Sequence, residues 1–166
     1  NKKYVAICTD IKNGTYSFSI PKKTTINKSG SNKKRVVYSF SFEENIILKF
    51  ISFCLYKYDN VFSPNTYAFR RNFTVKQAFL DLVHTANMYS YKIDISNYFN
   101  SIDISILLPK LKAVLNGDNK LYKVLEDMLT LDKAIYNGTV VKEKRGVMAG
   151  TPLSTFLANV YLMDLD

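Results

Sequence analysis

The chain has 166 residues, of which 47% are hydrophobic, 14% aromatic and 22% charged. This length allows one domain of ordinary size, or one domain and part of another. The composition excludes a disordered segment and a coiled coil, and no apolar run reaches the roughly 18 residues of a membrane span. We therefore expect a soluble, globular chain with a substantial core.

Charge is distributed unevenly along the chain. There are 23 basic and 14 acidic residues, a formal net charge of +9, and the first 60 residues hold 11 of the basic and 4 of the acidic ones. Such an asymmetry is typical of a surface that meets phosphate groups. A merely solvated basic face is the alternative interpretation.

The two cysteines, Cys8 and Cys54, have no second cysteine or histidine at metal-binding spacing. A disulfide scaffold and a zinc module are therefore not expected, whereas a reducing, cytoplasmic setting is. The chain starts at Asn1 without the pattern of a signal peptide, so we interpret it as a piece of a longer protein.

The first predicted element is a basic β-hairpin. Apolar and polar residues alternate over 15–20, which predicts a strand, and a second strand resumes over 33–38 after a polar loop. Residues 15–39 are therefore interpreted as a long-looped hairpin. Six basic residues and no acidic one lie between Pro21 and Arg35.

Two helices are predicted after the hairpin, whereas residues 1–14 give only an ambiguous signal. Apolar residues three and four apart predict a core-packing helix over 41–56. A second helix is predicted over 74–86, where Thr74 begins a capping box and the apolar residues form one face. The only histidine, His84, lies off that face and is expected at the surface rather than as a ligand or base.

The second half predicts strands and helices in irregular alternation, which favours an α+β fold. Asn116, Gly117 and Asp118 mark a strong break between two of the helices, and Pro109 marks a bend in the first of these. In chain order the expected elements are a strand at 89–95, a turn or short helix at 97–102, helices at 103–115 and 119–131, an exposed strand at 139–144, a loop at 146–150, and a final helix that starts at Thr151 and Pro152.

Two segments carry residues suited to chemistry. Asp94 follows a predicted buried strand, where its carboxylate would be held rigidly and could bind a hard cation such as Mg²⁺. Capping of a turn is an equally good interpretation of Asp94 taken alone. Gly146 and Gly150 flank a loop that leads into a helix, and they would let the backbone approach a ligand or a nucleic-acid strand closely. A simple turn is the alternative for this loop.

Together these segments resemble motifs of the reverse transcriptases, particularly the bacterial retron-like, group II intron and phage-defence kinds. Residues 94–102 resemble the first palm motif, in which an aspartate is followed five residues later by an aromatic residue. The stretch 146–162 is similar to the family's glycine-loop motif. Residues 67–72 followed by Ala78 resemble its Phe-Arg segment, and 20–22 with Lys34 and Arg35 resemble its fingers motif. Four motifs in the family's order span nearly the whole chain.

The resemblance implies a right-hand polymerase fold, with a fingers region at 1–90 and a partial palm at 91–166. Helices would pack on a small antiparallel sheet beside the fingers hairpin. It also implies transfer of deoxynucleotides to a primer 3′-hydroxyl with two Mg²⁺ ions. Asp94 would bind both ions, and the backbone carbonyl of Ile95 would complete one of them.

The resemblance also implies roles for residues that bind the nucleotide, the template and the primer. Phe99 would lie under the sugar and exclude a 2′-hydroxyl, with Asn97 and Tyr98 in the same pocket. Lys22 and Arg35 would bind the triphosphate. Contacts with an RNA template and a DNA or RNA primer would come from Lys33, Lys34, Phe69, Arg70, Gly146, Ala149 and Gly150. Core packing for the aromatic residues and solvation for the charges are the plainer alternatives.

Two departures from the family pattern affect these expectations. Ala149 stands where the family usually has glutamine, so a minor-groove hydrogen bond from that side chain is lost. The family's Tyr-x-Asp-Asp motif is not present, and Asp103, Asp164 and Asp166 do not match it. Because one carboxylate cannot hold two metal ions, we expect this chain alone to be inactive and its parent to be a polymerase. The alternatives are an RNA-binding protein that has lost catalysis, and untemplated DNA synthesis in phage defence.

Overall fold

The computed structural model describes residues 2–27, 30, 32–82, 89–143 and 146–165. Its helices and strands confirm the predicted α+β class. In chain order they are α1 (Lys2–Asn13), β1 (Lys22–Asn27), β2 (Lys34–Ser39), α2 (Phe42–Leu55), a 3₁₀ helix (Tyr56–Val61), α3 (Val75–Leu80), α4 (Tyr98–Ser101), α5 (Ile104–Leu115), α6 (Asn119–Leu129), β3 (Lys133–Tyr136), β4 (Thr139–Lys142) and α7 (Ser154–Leu162).

The strands form one four-stranded sheet in the order β2-β1-β3-β4. The hairpins β1–β2 and β3–β4 are each antiparallel. Strands β1 and β3 are parallel and pair through Lys22 and Ile135, and the amide of Ile135 donates to the Pro21 carbonyl at 2.9 Å. The sheet is therefore mixed, and the expectation of a purely antiparallel sheet is wrong. The parallel pairing brings together two hairpins that are more than 90 residues apart in the chain.

The hairpin begins later than predicted. Residues 15–20 do not form a strand, and the first strand starts at Lys22. The alternation in this segment reflects packing, since Phe18 is buried and contacts Tyr16 edge-on with ring centroids 5.1 Å apart. The amide of Ser19 donates to a side-chain carboxylate rather than to a neighbouring strand.

The core lies among α2, α5, α6 and α7. Four helices can share one core because each presents an apolar face, and each leucine buried there contributes roughly 1.5–3 kcal/mol. The breaks predicted between helices are also confirmed, since Asn116 and Gly117 both have a positive φ after α5. The most deeply buried helix residues include Leu48, Leu55, Leu107, Leu111, Leu115, Leu125, Met128 and Leu157.

Three predicted elements differ from the structure. Helix α3 begins as expected, with the Gln77 amide donating to the Thr74 hydroxyl, but it ends at Leu80, and Val75 and Phe79 on its apolar face are exposed. His84 and Ala86, which belong to the predicted continuation, lie outside the described residues.

The other two corrections concern the predicted strand at 89–95 and the start of the last helix. Residues 89–95 form no strand, because the described ranges contain no strand beside them to accept their backbone hydrogen bonds. Helix α7 starts at Ser154 rather than at Thr151, whose hydroxyl instead closes a turn by donating to the Met148 carbonyl at 3.0 Å. None of the helices in the described ranges is both long and apolar enough to cross a membrane.

A buried carboxylate ties the start of the hairpin to α2. Glu44 is only 6% exposed and accepts hydrogen bonds from the amide and hydroxyl of Ser19 and from those of Ser41. The Tyr16 hydroxyl donates to it at 3.4 Å. Burial raises the pKa of Glu44, but the hydrogen bonds from Ser19 and Ser41 outweigh burial and hold the pKa below its usual range. Burial and the neighbouring Glu44 raise the pKa of Tyr16 to about 12.

Replacing Glu44 with alanine should destabilise the chain by about 2–3 kcal/mol at pH 7, because several buried donors lose their acceptor. A carboxylate with a lowered folded-state pKa stabilises the fold above its unfolded-state pKa, and this contribution is lost as the pH falls through the folded-state value. The difference in the free energy of unfolding between Glu44→Ala and the wild-type chain, measured by urea unfolding, should therefore become smaller at acid pH. Glu43→Ala, which removes a surface ion pair with Lys3, is the control and should show no measurable change. Equal losses in the two variants would contradict this role of Glu44.

Candidate functional site

Asp94 lies in an exposed segment that leads directly into α4. Ile93 beside it is 89% exposed, so the predicted buried strand end is not formed. The turn that follows is built on Asn97, which has a left-handed backbone with φ of 53°. The Asn97 side-chain oxygen accepts a hydrogen bond from the Asn100 amide group at 2.8 Å, and its carbonyl accepts one from the Ser101 hydroxyl at 3.1 Å. Asp94 is thus positioned from its C-terminal side.

Helix α4 is attached to α7 by its aromatic residues. The Tyr98 hydroxyl donates to the Ala158 carbonyl of α7 at 2.7 Å. Phe99 lies next to Tyr98 with ring centroids 5.8 Å apart, and both rings are half-buried against the core. The Tyr98 hydroxyl is therefore committed to the fold, whereas Phe99 remains partly exposed.

The first glycine of the loop lies against the backbone of α4. A methyl group on Gly146 would clash with the carbonyl of Phe99 and would lie 2.7 Å from the carbonyl of Ile102. Real Cβ atoms do not approach a backbone oxygen this closely, so only glycine fits here. Gly146 is buried, and its absent side chain allows the loop to contact α4, the short helix that follows the segment with Asp94.

The other end of the loop lies on the outer edge of β2. The Tyr38 amide donates to the Ala149 carbonyl at 2.8 Å. A Cβ atom on Gly150 would lie 3.2 Å from the Tyr38 carbonyl and 3.3 Å from the Val37 Cβ, and Gly150 has φ of +98°. Ala149 is buried, while Gly150 is exposed. The loop therefore spans from α4 to the basic hairpin.

The pairing of β1 with β2 places Lys22 and Arg35 on the same face of the hairpin. Lys22 pairs with Ser39, and Arg35 pairs with Ile26, which lies four residues after Lys22. Side chains of paired residues share a face, and every second residue returns to it, so the two cations are about 13 Å apart along the strands at about 3.3 Å per residue. Val37, the neighbour of Gly150, lies between them on this face.

Lys34 belongs to the opposite face of the hairpin, because it is one residue from Arg35. Lys33 precedes β2 and is exposed, as are Lys22, Lys34 and Arg35. The basic side chains that the sequence grouped together are thus divided between two faces. The face with Lys22 and Arg35 also carries Val37, whose Cβ lies next to Gly150 of the glycine loop.

The Phe-Arg segment has a structural arginine and an exposed aromatic ring. The Arg70 guanidinium donates to the carbonyls of Ser63, Thr66 and Asp59 at 2.7–3.1 Å, and it stacks on the Phe73 ring at 3.9 Å. Phe69 is 59% exposed and has a positive φ of 60°, which is unusual for a bulky residue. Arg70 therefore holds the loop that presents Phe69.

A partly buried ion pair that the sequence did not reveal connects the two hairpins. Lys23 of β1 binds a Glu143 carboxylate oxygen at 2.6 Å, and the buried Tyr38 hydroxyl donates to the same oxygen at 2.7 Å. Both charged side chains are less than a quarter exposed. No periodicity or motif distinguishes Glu143, which follows an exposed strand, so only the three-dimensional arrangement identifies it.

Comparison with known families agrees with this geometry. The model of the family described as reverse transcriptase (RNA-dependent DNA polymerase) matches residues 20–166, which is most of the chain. The chain belongs to the reverse transcriptase family. No match is found among curated proteins.

Reverse transcriptases generally use divalent metal ions, so the described residues can be tested as ligands. Mg²⁺ requires near-octahedral oxygen coordination, usually with one or two carboxylates. Asp94 and the carbonyl of Ile95 offer two such oxygens at one position. The described ranges contain no group of three or more histidine, cysteine, aspartate or glutamate side chains able to hold a metal. These residues alone therefore do not fit a pair of ions.

Gly146→Ala should destabilise this reverse transcriptase chain by about 1–3 kcal/mol, because the added methyl forces the backbone of α4 away from the loop. Chemical unfolding measures the loss. Gly117→Asn is the matched control, since Gly117 has open space around its Cα and asparagine tolerates a positive φ. A Gly146→Ala variant as stable as the control would contradict the close contact between the loop and α4.

Proposed function

We propose that the chain is the nucleotide-binding part of an RNA-directed DNA polymerase that adds deoxynucleotides to a primer 3′-hydroxyl. The observation that carries this proposal is the glycine loop, which contacts α4 at Gly146 and β2 at Gly150. Asp94 precedes α4 in the chain, and Lys22 and Arg35 belong to the hairpin, so one short loop links the helix after the carboxylate to the strands that carry the cations. This is the combination of groups that nucleotidyl transfer requires.

Lys22 and Arg35 are proposed to bind the triphosphate from the hairpin face. Arginine can make two parallel hydrogen bonds to phosphate oxygens, and lysine adds a compact positive charge. Their separation along the strands would let each contact a different phosphate or one of them contact the template backbone. Lys33, which precedes β2, and Lys34, the first residue of β2, would add positive charge at this end of the hairpin for contact with the nucleic acid.

The sugar and base of the nucleotide are proposed to lie beside α4. The accessible part of the Phe99 ring would pack under the sugar, where a 2′-hydroxyl would clash, and Asn97 would border the pocket. Tyr98 would act by holding α4 on α7 through its hydrogen bond to Ala158. Template and primer would contact the exposed backbone at Gly150, because Gly146 and Ala149 are buried.

Phe69 is proposed to stack on a template base, since its ring is exposed on a loop that Arg70 stabilises. The bacterial retron-like, group II intron or phage-defence kind is proposed from the motifs at 94–102 and 146–162, and Ala149 in place of the usual glutamine would mark a subfamily. Its small side chain fits a buried position, and it makes recognition there depend on shape and backbone contacts.

The described residues supply part of a metal site, so this chain alone is proposed to be inactive. In the complete site Asp94 and the Ile95 carbonyl would contribute to holding two Mg²⁺ ions, which would supply the activation of the primer hydroxyl. Further carboxylates would have to complete the ligand set. Asp94 then has a ligand role that no neighbouring carboxylate in the described ranges can replace.

The full-length parent should synthesise DNA on a primed RNA template with Mg²⁺ and deoxynucleotides, and Asp94→Ala should reduce the rate by at least about 10³-fold, the scale of a lost electrostatic group. Incorporation of labelled deoxynucleotide measures the rate. Asp132→Asn, an exposed acidic residue before β3, is the control and should retain activity. Undiminished synthesis by Asp94→Ala would remove Asp94 from the site.

The positive hairpin should make nucleic-acid binding fall steeply with salt, because each neutralised phosphate releases counterions. Replacing Lys33, Lys34 and Arg35 together with alanine should reduce the slope of log K against log salt by about 2–3 on an RNA/DNA hybrid. Lys92, Lys120 and Lys133, also exposed, form a control triple variant with the same change in net charge. Equal reductions in the two variants would place the binding surface elsewhere.

An RNA-binding protein without catalysis is the second candidate, and the absence of a complete metal cluster within the described ranges favours it. Such a protein would show the same salt dependence but no incorporation by the parent. Untemplated DNA synthesis is distinguished by sequencing the products, since their sequence would then be independent of the supplied RNA.

A further inference from the structure

Helix α2 has an apolar stripe on the side that faces away from the core. Its buried side consists of residues such as Leu48, Ile51 and Leu55. On the opposite side, apolar residues three and four apart are solvent-exposed, although exposed faces of helices are normally polar. We call these residues the outer stripe: Phe42 (75% exposed), Ile46 (39%), Phe50 (65%), Phe53 (57%) and Tyr56 (38%), the last of which directly follows α2.

The outer stripe is bordered by positive charge. Lys49 lies on the same side of α2 and is exposed. The Arg71 guanidinium lies over the Phe53 ring at 5.5 Å and over the Tyr56 ring at 5.8 Å. Glu43, an acidic residue of the same helix, is engaged in an ion pair with Lys3. Aromatic rings combined with cations are the combination that recognises unpaired bases on a phosphate backbone.

We propose that the outer stripe binds single-stranded nucleic acid, with bases stacked on Phe50 and Phe53 and phosphates near Lys49 and Arg71. Charge complementarity favours this occupant over a second copy of the chain. A copy carrying a net charge of +9 would bring the two basic borders together. Duplex nucleic acid is a poor occupant because its bases are already stacked and paired.

This surface is separate from the proposed nucleotide site. The outer stripe belongs to the side of α2 opposite the core, whereas Gly150, Lys22 and Arg35 belong to the hairpin face. The binding of a single strand here does not depend on catalysis by Asp94. It would hold an unpaired template or product segment outside the polymerase site.

The chain has no tryptophan, so Phe53→Trp places its one tryptophan on the outer stripe. A 20-nucleotide oligo-dT or oligo-U should quench the fluorescence of this tryptophan, because a base stacks on the indole. A blunt duplex of the same length should leave it unquenched. Ile106→Trp, at a position on α5 where the isoleucine is 50% exposed, is the matched control, and neither ligand should quench its fluorescence. Equal quenching at both positions, or none at Phe53→Trp, would overturn the proposal.

Affinity gives a second readout that does not require tryptophan. The double variant Phe50→Ala, Phe53→Ala should weaken binding of labelled oligo-dT at least about tenfold in fluorescence anisotropy, because it removes two rings on which bases would stack. Ile106→Ala should bind as the wild-type chain does. The hairpin variant of Lys33, Lys34 and Arg35 should retain the Phe53→Trp quenching, which separates this surface from the proposed polymerase site. The double variant of Phe50 and Phe53 could instead keep the oligo-dT affinity of the wild-type chain and lose a dimer that the wild-type chain forms in sedimentation. That result would assign the outer stripe to a second copy.

Discussion

The arrangement of the candidate site depends on one steric constraint, the absence of a side chain at Gly146. The loop backbone lies so close to the carbonyls of Phe99 and Ile102 that any Cβ would displace α4. Four residues later, Gly150 also lies close to β2, where an added Cβ would be 3.2 Å from the Tyr38 carbonyl, and the Ala149 carbonyl accepts the Tyr38 amide. The loop therefore links α4, which follows the Asp94 segment, to the cationic hairpin.

Two carboxylates help to hold the hairpin beside this loop. Glu44, which is buried, binds the Ser19 segment that precedes β1, and Glu143, which is partly buried, binds Lys23 and Tyr38 within the sheet. An ion pair removed from water adds little net stability because desolvation offsets its attraction, but breaking one is costly. Both carboxylates therefore restrict where the hairpin can lie relative to α2 and β4.

Sequence periodicity predicted the elements whose stability comes from their own apolar face. Helices α2, α5 and α6 agree with the predicted bounds to within about two residues. Prediction was wrong where a pattern needed a distant partner. Residues 15–20 alternate because Tyr16 and Phe18 pack on the core, and residues 89–95 alternate without a neighbouring strand in the described ranges. The same limit applies to the site residue Arg70. A sequence motif gives the residue type, but it does not show whether the guanidinium donates to phosphates or to backbone carbonyls.

The candidate site is therefore organised to different degrees for its two chemical tasks. Lys22 and Arg35 lie on a paired hairpin whose backbone is held by the loop and by two carboxylates, so the entropy lost when phosphates bind would come from their own exposed side chains. Asp94 precedes the Asn97 turn and is exposed. A metal ion must be drawn out of water by several fixed oxygens at once. Under the proposed function, phosphate binding would depend on residues that the structure describes, whereas metal binding would require further ligands around Asp94.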